Sequence, residues 1–315
     1  MRKEEAKLLN SRIKSYDIAN LRDLLTEALS ASNYILSGPK KNEYNFTAER
    51  TYHAFLLMQK IMLHGFSILK LSEGLVIPTN QIFNSKTIQE PFSLIVLHRA
   101  LLETYLTMHL INFNETAARN DLFHKLWLFC GLRQRQKINY QELIEEASKV
   151  LLEDKKEMDR LEINIKSTDE YNSLSEKSKN ELFEYLKRDW KIAFIGDRFN
   201  RIGWQAILDT VVKDNENAKK LFEGTYNYLS WSAHSQSISI FQLNEFNDGE
   251  TVNLHVANVL REAILFISFG LSNIVKIEPN LFKYYEEISP LQKNMINFYN
   301  HLLRGKHAEV EDIYK

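Results

Sequence analysis

The stretch LIVLHRALLETYLTMHLI, residues 94–111, sets two charged side chains into an apolar helical pattern. With about 100° of rotation per helical residue, Ile95 and Leu102 fall on the same side as Arg99. Glu103 lies one turn further along that side, because residues four apart share a helix face. No face of this segment is uniformly polar, so we predict a central helix whose Arg99 and Glu103 point into the protein.

A second stretch, TYNYLSWSAHSQSIS at residues 225–239, repeats this pattern with a serine and a histidine. Ser230 and His234 are four residues apart and share a helix face with apolar side chains. An ion pair buried without further hydrogen-bonding partners is costly, so Arg99 and Glu103 need such groups nearby. We therefore predict that the two helices meet in one buried polar site. The same residues also fit a network that specifies packing and has no catalytic role.

Glycine and proline are scarce, with 10 and 5 in 315 residues, and this favours long helices over many turns. The exception is Asp248-Gly249, which stands between two segments of alternating apolar and polar residues, as in a β-hairpin. Residues 189–204 show no regular period. The sequence therefore predicts an all-α fold, a multi-helix bundle with one small β-hairpin near residues 241–256.

The length of 315 residues suits one large domain, and no repeat or linker divides the chain. We predict a single helical domain over residues 1–315. Its bundle core spans residues 45–138 and 189–277, and residues 278–315 form a C-terminal helix. Residues 140–168 are strongly charged and carry a narrow apolar stripe, which is typical of a helix that packs on one side only. We predict that residues 140–188 form a charged helical insertion on the bundle.

Overall charge and cysteine content bound the possible environments. The formal net charge of −1 and the pI of about 6.8 argue against a generally basic nucleic-acid surface. Cys130 is the only cysteine, which excludes an intrachain disulfide and fits a cytoplasmic location. The N-terminal residues lack the apolar segment of a signal peptide. The most apolar window, residues 263–275, is too short to cross a bilayer, so the sequence predicts no membrane partner.

Three short motifs, HRALLE at 98–103, Trp204 and YNYLSWSAH at 226–234, resemble those of a bacterial all-helical family of unknown function. The resemblance covers roughly residues 50–275. The family carries no settled activity, so the resemblance implies a set of signature positions and no reaction. Those positions are Arg99, Glu103, Tyr226, Ser230 and His234.

A further motif, RNDLFH at residues 119–124, resembles the R-N-x3-H motif of HEPN ribonucleases, which are small helical bundles of toxins and phage-defence systems. The resemblance implies that Arg119 stabilises the phosphorane and that His124 assists the ribose 2′-hydroxyl, with Asn120 completing the motif and no metal required. It also implies RNA as the substrate, a homodimer with the motif at its interface, and an antidote or sensor protein as a partner.

The segment LKRDWKIAFIGDRFNRIGW, residues 186–204, interleaves basic and aromatic side chains. This composition suits single-stranded nucleic acid, whose bases stack on aromatic rings. The alternative is that the aromatic rings anchor the core and the basic side chains form a solvated rim, and the near-neutral net charge favours it. The candidate RNA-binding residues are Lys187, Arg188, Lys191, Arg198, Arg201 and Trp204.

Metal and cofactor chemistry is not indicated by any motif. The sequence has no H-E-x-x-H or Glu-x-x-His pair and no phosphate-binding glycine loop, so we expect no metal and no cofactor. Two functions stay open, and with them whether the chain is an enzyme. One is a HEPN-like, metal-independent RNA-cleaving effector of a toxin or phage-defence system, and the other is a non-catalytic helical module that binds a partner or small ligand. The candidate catalytic residues form two sets: Arg99, Glu103, Ser230 and His234, or Arg119, Asn120 and His124.

Overall fold

The computed structural model describes residues 3–39, 48–78, 85–137, 145–212, 215–233, 249–305 and 309–311. Helices dominate these residues, which confirms the predicted all-α class. The helices are α1 (Lys3–Lys14), α2 (Ile18–Ser37), α3 (Glu49–Leu71), α4 (Pro91–Asn112), α5 (Ala117–Arg135), α6 (Glu145–Lys166), α7 (Asp169–Asn172), α8 (Glu176–Leu186), α9 (Trp204–Val211), α10 (Glu216–Phe222), α11 (Thr225–Ala233), α12 (Gly249–Ile277), α13 (Phe282–Glu287) and α14 (Pro290–Arg304). The strands pair in antiparallel hairpins: β1 (Leu75–Pro78) with β2 (Ser85–Ile88), and β3 (Ile192–Ile195) with β4 (Arg198–Arg201).

The chain divides into two compact units, residues 1–108 with 208–315, and residues 109–207. The second unit interrupts the first in sequence, as an insertion does. It begins at His109 and so includes α5, whereas the sequence pattern placed the insertion at residues 140–188. Each unit has its own packing, and the single-domain organisation stays a prediction.

In the first unit, α12 is the central helix and packs against α2, α3 and α14. Its side chains from Val256 to Val275 are nearly all buried, because apolar residues occupy every face of this segment. Helix α3 comes so close that a Cβ at Gly65 would lie 2.8 Å from side-chain atoms of both Leu29 and Ile267. The glycine at this position therefore permits the close packing of α2, α3 and α12.

An aromatic cluster around Phe266 of α12 fixes α4 and α10 against the central helix. The ring centroid of Phe266 lies 5.5 Å from that of Tyr105, 5.9 Å from that of Phe222 and 6.2 Å from that of His98. Aromatic pairs at such distances stabilise a core beyond the burial of their area. Glu262 lies one turn before Phe266 on the same helix face. The cluster therefore also sets the distance between His98 and Glu262.

In the second unit, α5 packs along α6 and against α8, and Arg135 of α5 forms an ion pair with the buried Asp154 of α6. Residues 189–204, for which the sequence showed no period, contain the β3–β4 hairpin. Its turn is Gly196-Asp197, and Gly196 has a φ of 60°, the left-handed conformation that tight hairpin turns require. The two-residue turn therefore determines the local structure of a segment whose sequence has no regular period.

The hairpin predicted near residues 241–256 is misplaced. Residues 241–248 lie outside the described part of the chain, and from Gly249 onward the chain is helix α12. Val252 and Val256 are buried while Leu254 is 42% exposed, as a helix requires; a strand would put all three on one face. The alternation of apolar residues over 252–256 imitated a strand although the longer pattern has helical period.

The prediction of no membrane partner is wrong, because it considered only the apolar window 263–275. Three described helices, α3, α4 and α12, are long and apolar enough to cross a membrane. Helix α12 alone extends over 29 residues, and its most apolar 18-residue window has a mean hydropathy of 1.4. Of these windows, 72% is buried inside the fold in both α4 and α12, and 39% in α3. Cytoplasmic localisation accordingly stays a prediction.

Candidate functional site

Helix α4 carries the charged residues that the sequence singled out. It begins at Pro91, where a missing N–H needs no partner, and Glu90 accepts hydrogen bonds from the N–H groups of Phe92 at 2.8 Å and Ser93 at 2.9 Å. Side chains of residues 101–112 are nearly all buried. Charged groups on this helix therefore need partners from other elements.

Arg99, Glu103 and Tyr226 form a closed triangle of hydrogen bonds. Arg99 donates from Nε to Glu103 Oε1 at 2.8 Å and from Nη2 to the Tyr226 hydroxyl at 2.8 Å. The Tyr226 hydroxyl donates to Glu103 Oε1 at 3.0 Å. The side chains of Arg99 and Glu103 are 17% and 29% exposed. The pair thus lies at the margin of the core, where solvent reaches it, and not in the deep interior.

The surroundings of this triangle raise the pKa of two of its groups, Arg99 and Tyr226. Burial alone would lower the pKa of Arg99, but the hydrogen bond and negative charge of Glu103 raise it overall. Burial, and then the charge of Glu103, raise the pKa of Tyr226. Tyr226 is therefore a neutral hydroxyl at pH 7, and it donates to the Glu103 carboxylate while accepting from the guanidinium.

Helix α11 supplies the partner of the α4 pair. The side chain that reaches Arg99 is Tyr226, one of the signature positions of the resemblance. Ser230 lies one turn further along α11 and is half-buried. His234 lies outside the described residues, so its predicted contact with Arg99 and Glu103 stays a prediction.

Arg119, Asn120 and His124 lie on α5 in the second unit, and each is engaged separately. Arg119 Nη1 donates to Glu115 Oε2 at 2.7 Å. Asn120 Oδ1 accepts from the backbone N–H of Asn114 at 2.7 Å and so closes the turn between α4 and α5. His124 is 4% exposed, and five residues of helix turn its direction about 140° away from that of Arg119. The structure thus does not bring these side chains to one surface point.

The basic and aromatic side chains of residues 187–204 largely pair with neighbours inside the second unit. Lys191 Nζ lies 2.6 Å from both carboxylate oxygens of Asp189 and 4.5 Å from the ring centroid of Trp204. The Arg201 guanidinium lies 4.7 Å from the ring centroid of Tyr185. RNA binding by this segment stays a prediction. The other candidates differ in exposure: Lys187 is half-buried, and Arg188 and Arg198 are exposed.

A pocket of about 420 Å³ opens beside α4 in the first unit, between α11 and α12. Its volume falls in the range of small-molecule sites, roughly 300–1,000 Å³. Its lining residues are Ile95, His98, Glu223, Gly224, Thr225, Tyr228, Leu229, His255, Asn258, Val259 and Glu262.

His98 and Glu262 face each other across one wall of this pocket. His98 Nε2 lies 3.2 Å from Glu262 Oε2, but their relative direction does not allow a hydrogen bond. Neither atom has a hydrogen-bonding partner among the described residues, although both atoms are buried. The side chain of His98 is 2% exposed and that of Glu262 is 32% exposed. A buried polar atom without a partner is uncommon in folded proteins and indicates a ligand, a water molecule or a functional constraint.

Burial has opposite effects on the charges of these two residues. It lowers the pKa of His98 to about 4. It raises the pKa of Glu262 to about 7, against which the positive charge of Arg261 acts only in part. At neutral pH, His98 is therefore uncharged, and Glu262 is divided between its acid and its carboxylate.

A second polar pair, Tyr228 and His255, also lines the pocket. The Tyr228 hydroxyl lies 2.7 Å from His255 Nδ1, and the two rings stack with centroids 6.0 Å apart. The tautomer of His255 decides which atom donates. Hydrogen bond and stacking together hold both rings in place on the pocket wall.

Known proteins offer no guide to this site. No family model, curated protein or solved structure matches the chain. The resemblances to the all-helical family and to HEPN ribonucleases stay predictions.

Sequence patterns did not single out His98, Tyr228, His255 and Glu262 as functional residues. For Glu262 a signal existed, since a carboxylate within the apolar run of α12 is costly to bury without a partner. For the other three, the chain separation of α4, α11 and α12 hides their proximity. Among the described residues, no group of three histidine, cysteine or acidic side chains is placed to hold a metal ion. The expectation of no metal stays a prediction for the chain as a whole.

Proposed function

We propose that this protein is a non-catalytic helical module that binds a small ligand in the pocket between α4, α11 and α12. The observation that carries the proposal is the pair of buried atoms without partners, His98 Nε2 and Glu262 Oε2, at the wall of this pocket. A buried polar atom left unsatisfied costs about 1–3 kcal/mol. The two atoms lie 3.2 Å apart and are closed to solvent, so a ligand that moves the two side chains apart and hydrogen-bonds to both atoms removes this cost on binding.

The composition of the remaining wall supports the same proposal. Ile95, Leu229 and Val259 supply apolar surface, and the Tyr228–His255 pair supplies a rigid aromatic face. Mostly apolar walls with a few convergent polar groups are typical of small-molecule sites.

We expect that filling the pocket abolishes ligand binding. Val259 lines the pocket and is 5% exposed, so Val259→Phe places a ring in the space a ligand needs. The matched control is Leu254→Phe, on the same helix at a position that is 42% exposed and does not line the pocket. Saturation-transfer NMR with 2-phenylethylamine, 2-phenylethanol and 3-phenylpropionate measures binding of probes that share a ring and differ in their polar group. The proposal fails if the wild type binds none of them, or if binding survives Val259→Phe.

A second candidate is a HEPN-like, metal-independent RNA-cleaving effector, in a toxin or phage-defence system. The observation in its favour is the partly exposed Arg99–Glu103–Tyr226 triangle. The positive charge of a guanidinium stabilises a phosphorane, and a general base can activate the 2′-hydroxyl for attack, so this reaction needs no metal ion.

Cleavage of single-stranded RNA in excess EDTA, with 2′,3′-cyclic phosphate ends, is the expected result for this second candidate. Arg99→Lys should then lower the rate about 100-fold, since a lysine cannot reproduce the two donors of the guanidinium. His124→Ala tests the other candidate set in the same assay, and His234→Ala tests the histidine outside the described residues. The melting temperature of each variant shows whether the fold is intact. Wild-type protein that leaves RNA whole excludes this function.

A further inference from the structure

The wall charges of the α4–α11–α12 pocket are all of one sign. Glu223 and Glu262 line it, and no lysine or arginine stands among its described lining residues. The nearest cation along α12, Arg261, has its guanidinium 4.8 Å from the ring centroid of Tyr16, and its Nη2 donates to the backbone carbonyl of Ser15 at 3.4 Å. Its Nη1 also donates to Asn258 Oδ1 at 3.3 Å, so Arg261 offsets part of the negative charge, while the lining side chains themselves favour a positively charged ligand.

The two atoms without partners present a specific hydrogen-bonding pattern. A carboxylate oxygen accepts only, and an uncharged histidine offers its Nε2 either as acceptor or as donor. At 3.2 Å, Glu262 Oε2 and His98 Nε2 are misaligned for a bond to one another and closed to solvent. Both can accept from one group that carries two or more N–H bonds when their side chains move apart to admit it. An ammonium has three such donors on one nitrogen. A ligand carboxylate or phosphate would bring further negative charge against Glu262 and Glu223.

The apolar part of the pocket limits the size and polarity of the rest of the ligand. Ile95, Leu229 and Val259 line it together with the stacked rings of Tyr228 and His255. A body of a few carbon atoms or one ring fits the volume of about 420 Å³. Aromatic faces also attract a cation that lies over them.

We propose that this pocket takes a small primary amine, whose ammonium group donates to Glu262 and His98 and whose apolar body packs on Ile95, Leu229 and Val259. This assignment of ligand class rests on the proposed binding function. It adds the sign of the ligand's charge and the atoms that recognise it.

The test compares three probes of matched shape, 2-phenylethylamine, 2-phenylethanol and 3-phenylpropionate, by NMR titration of the full chain at pH 8. We expect the amine to bind at least about tenfold more tightly than the alcohol, and the carboxylate to bind more weakly than either. Glu262→Gln should weaken binding of the amine about tenfold and weaken binding of the alcohol much less, because the amide oxygen of glutamine still accepts a hydrogen bond but carries no charge. Glu250→Gln is the control, since Glu250 is an exposed carboxylate in the first turn of the same helix.

A measurement on the wild type alone guards against misfolding of the variant. Lowering the pH from 8 to 5.5 protonates Glu262, so affinity for the amine should fall about tenfold or more while affinity for the alcohol holds. His98, His255, Glu223 and Tyr228 are the other titratable groups on the pocket wall. The ligand class is wrong if the alcohol or the carboxylate binds as tightly as the amine, and the proposed function then still stands. Absence of binding by all three probes overturns both.

Discussion

Phe266→Ala is expected to lower the free energy of unfolding by about 3–5 kcal/mol, the range for removal of a buried phenylalanine ring. Phe266 is 0% exposed and contacts the rings of Tyr105, Phe222 and His98. Its loss leaves a cavity where α4, α10 and α12 meet, and rigid helices close such a cavity only in part. Urea unfolding followed by circular dichroism measures the effect.

The control for this substitution is Leu254→Ala on the same helix. Leu254 is 42% exposed, so its truncation should cost less than about 0.5 kcal/mol. A loss below about 1 kcal/mol for Phe266→Ala would mean that the aromatic cluster does not join these helices. Because Phe266 also contacts the ring of His98, the same variant should lower the affinity of the pocket for its ligand.

The helical class was predictable because it depends on short-range pattern. Apolar residues recur at helical spacing over α4 and α12, and glycine and proline are rare, so local preference and tertiary packing agree. The hairpin near residues 241–256 was misplaced because the apolar residues Val252, Leu254 and Val256 fit the two-residue period of a strand, while Val252 and Val256 also fit the period of a helix. The β3–β4 turn was missed because its signal is only two residues, Gly196 and Asp197.

Contacts in the candidate site were predictable only where both residues lie on the same helix. Arg99 and Glu103 are four residues apart, and their contact at 2.8 Å follows from helix geometry. Tyr226 closes the triangle from 127 residues away in the chain, and no local pattern encodes that distance. The proximity of His98 and Glu262, 3.2 Å apart, has the same origin, since it depends on how α4 packs against α12.

The membrane question shows how burial and composition give different information. By length and apolar composition, α12 could cross a bilayer. The same apolar side chains of α12 nevertheless pack on α2, α3 and α14. In α3 the outward side chains of Tyr52, Leu63 and Phe66 are exposed. A hydropathy pattern records transfer out of water and does not distinguish lipid from a protein core.

The pH dependence of stability should separate the two buried groups of the pocket, because their contributions have opposite signs. The pKa of His98 is about 4 in the folded chain, below its ordinary 6.5, so between these values the unfolded chain binds a proton that the folded chain does not. Stability from His98 is therefore present above pH 6.5 and is lost as the pH falls towards 4, by about 3 kcal/mol. The pKa of Glu262 is raised to about 7 from 4.5. Its contribution is present below pH 4.5 and is lost as the pH rises through 7.

The loss from Glu262 is smaller than that from His98, about 1–2 kcal/mol, since solvent screens the exposed part of its side chain. Each variant is compared with the wild type at two pH values by urea unfolding, so that constant packing effects cancel. Relative to wild type, Glu262→Gln should gain about 1–2 kcal/mol between pH 4.5 and pH 8, and His98→Gln should gain about 3 kcal/mol between pH 7 and pH 4. Glu250→Gln, an exposed substitution on the same helix, should stay within about 0.5 kcal/mol of wild type. Curves that run parallel for wild type and both pocket variants would show that neither side chain is held in an altered protonation state. The pocket would then lose the electrostatic basis for selecting a cation.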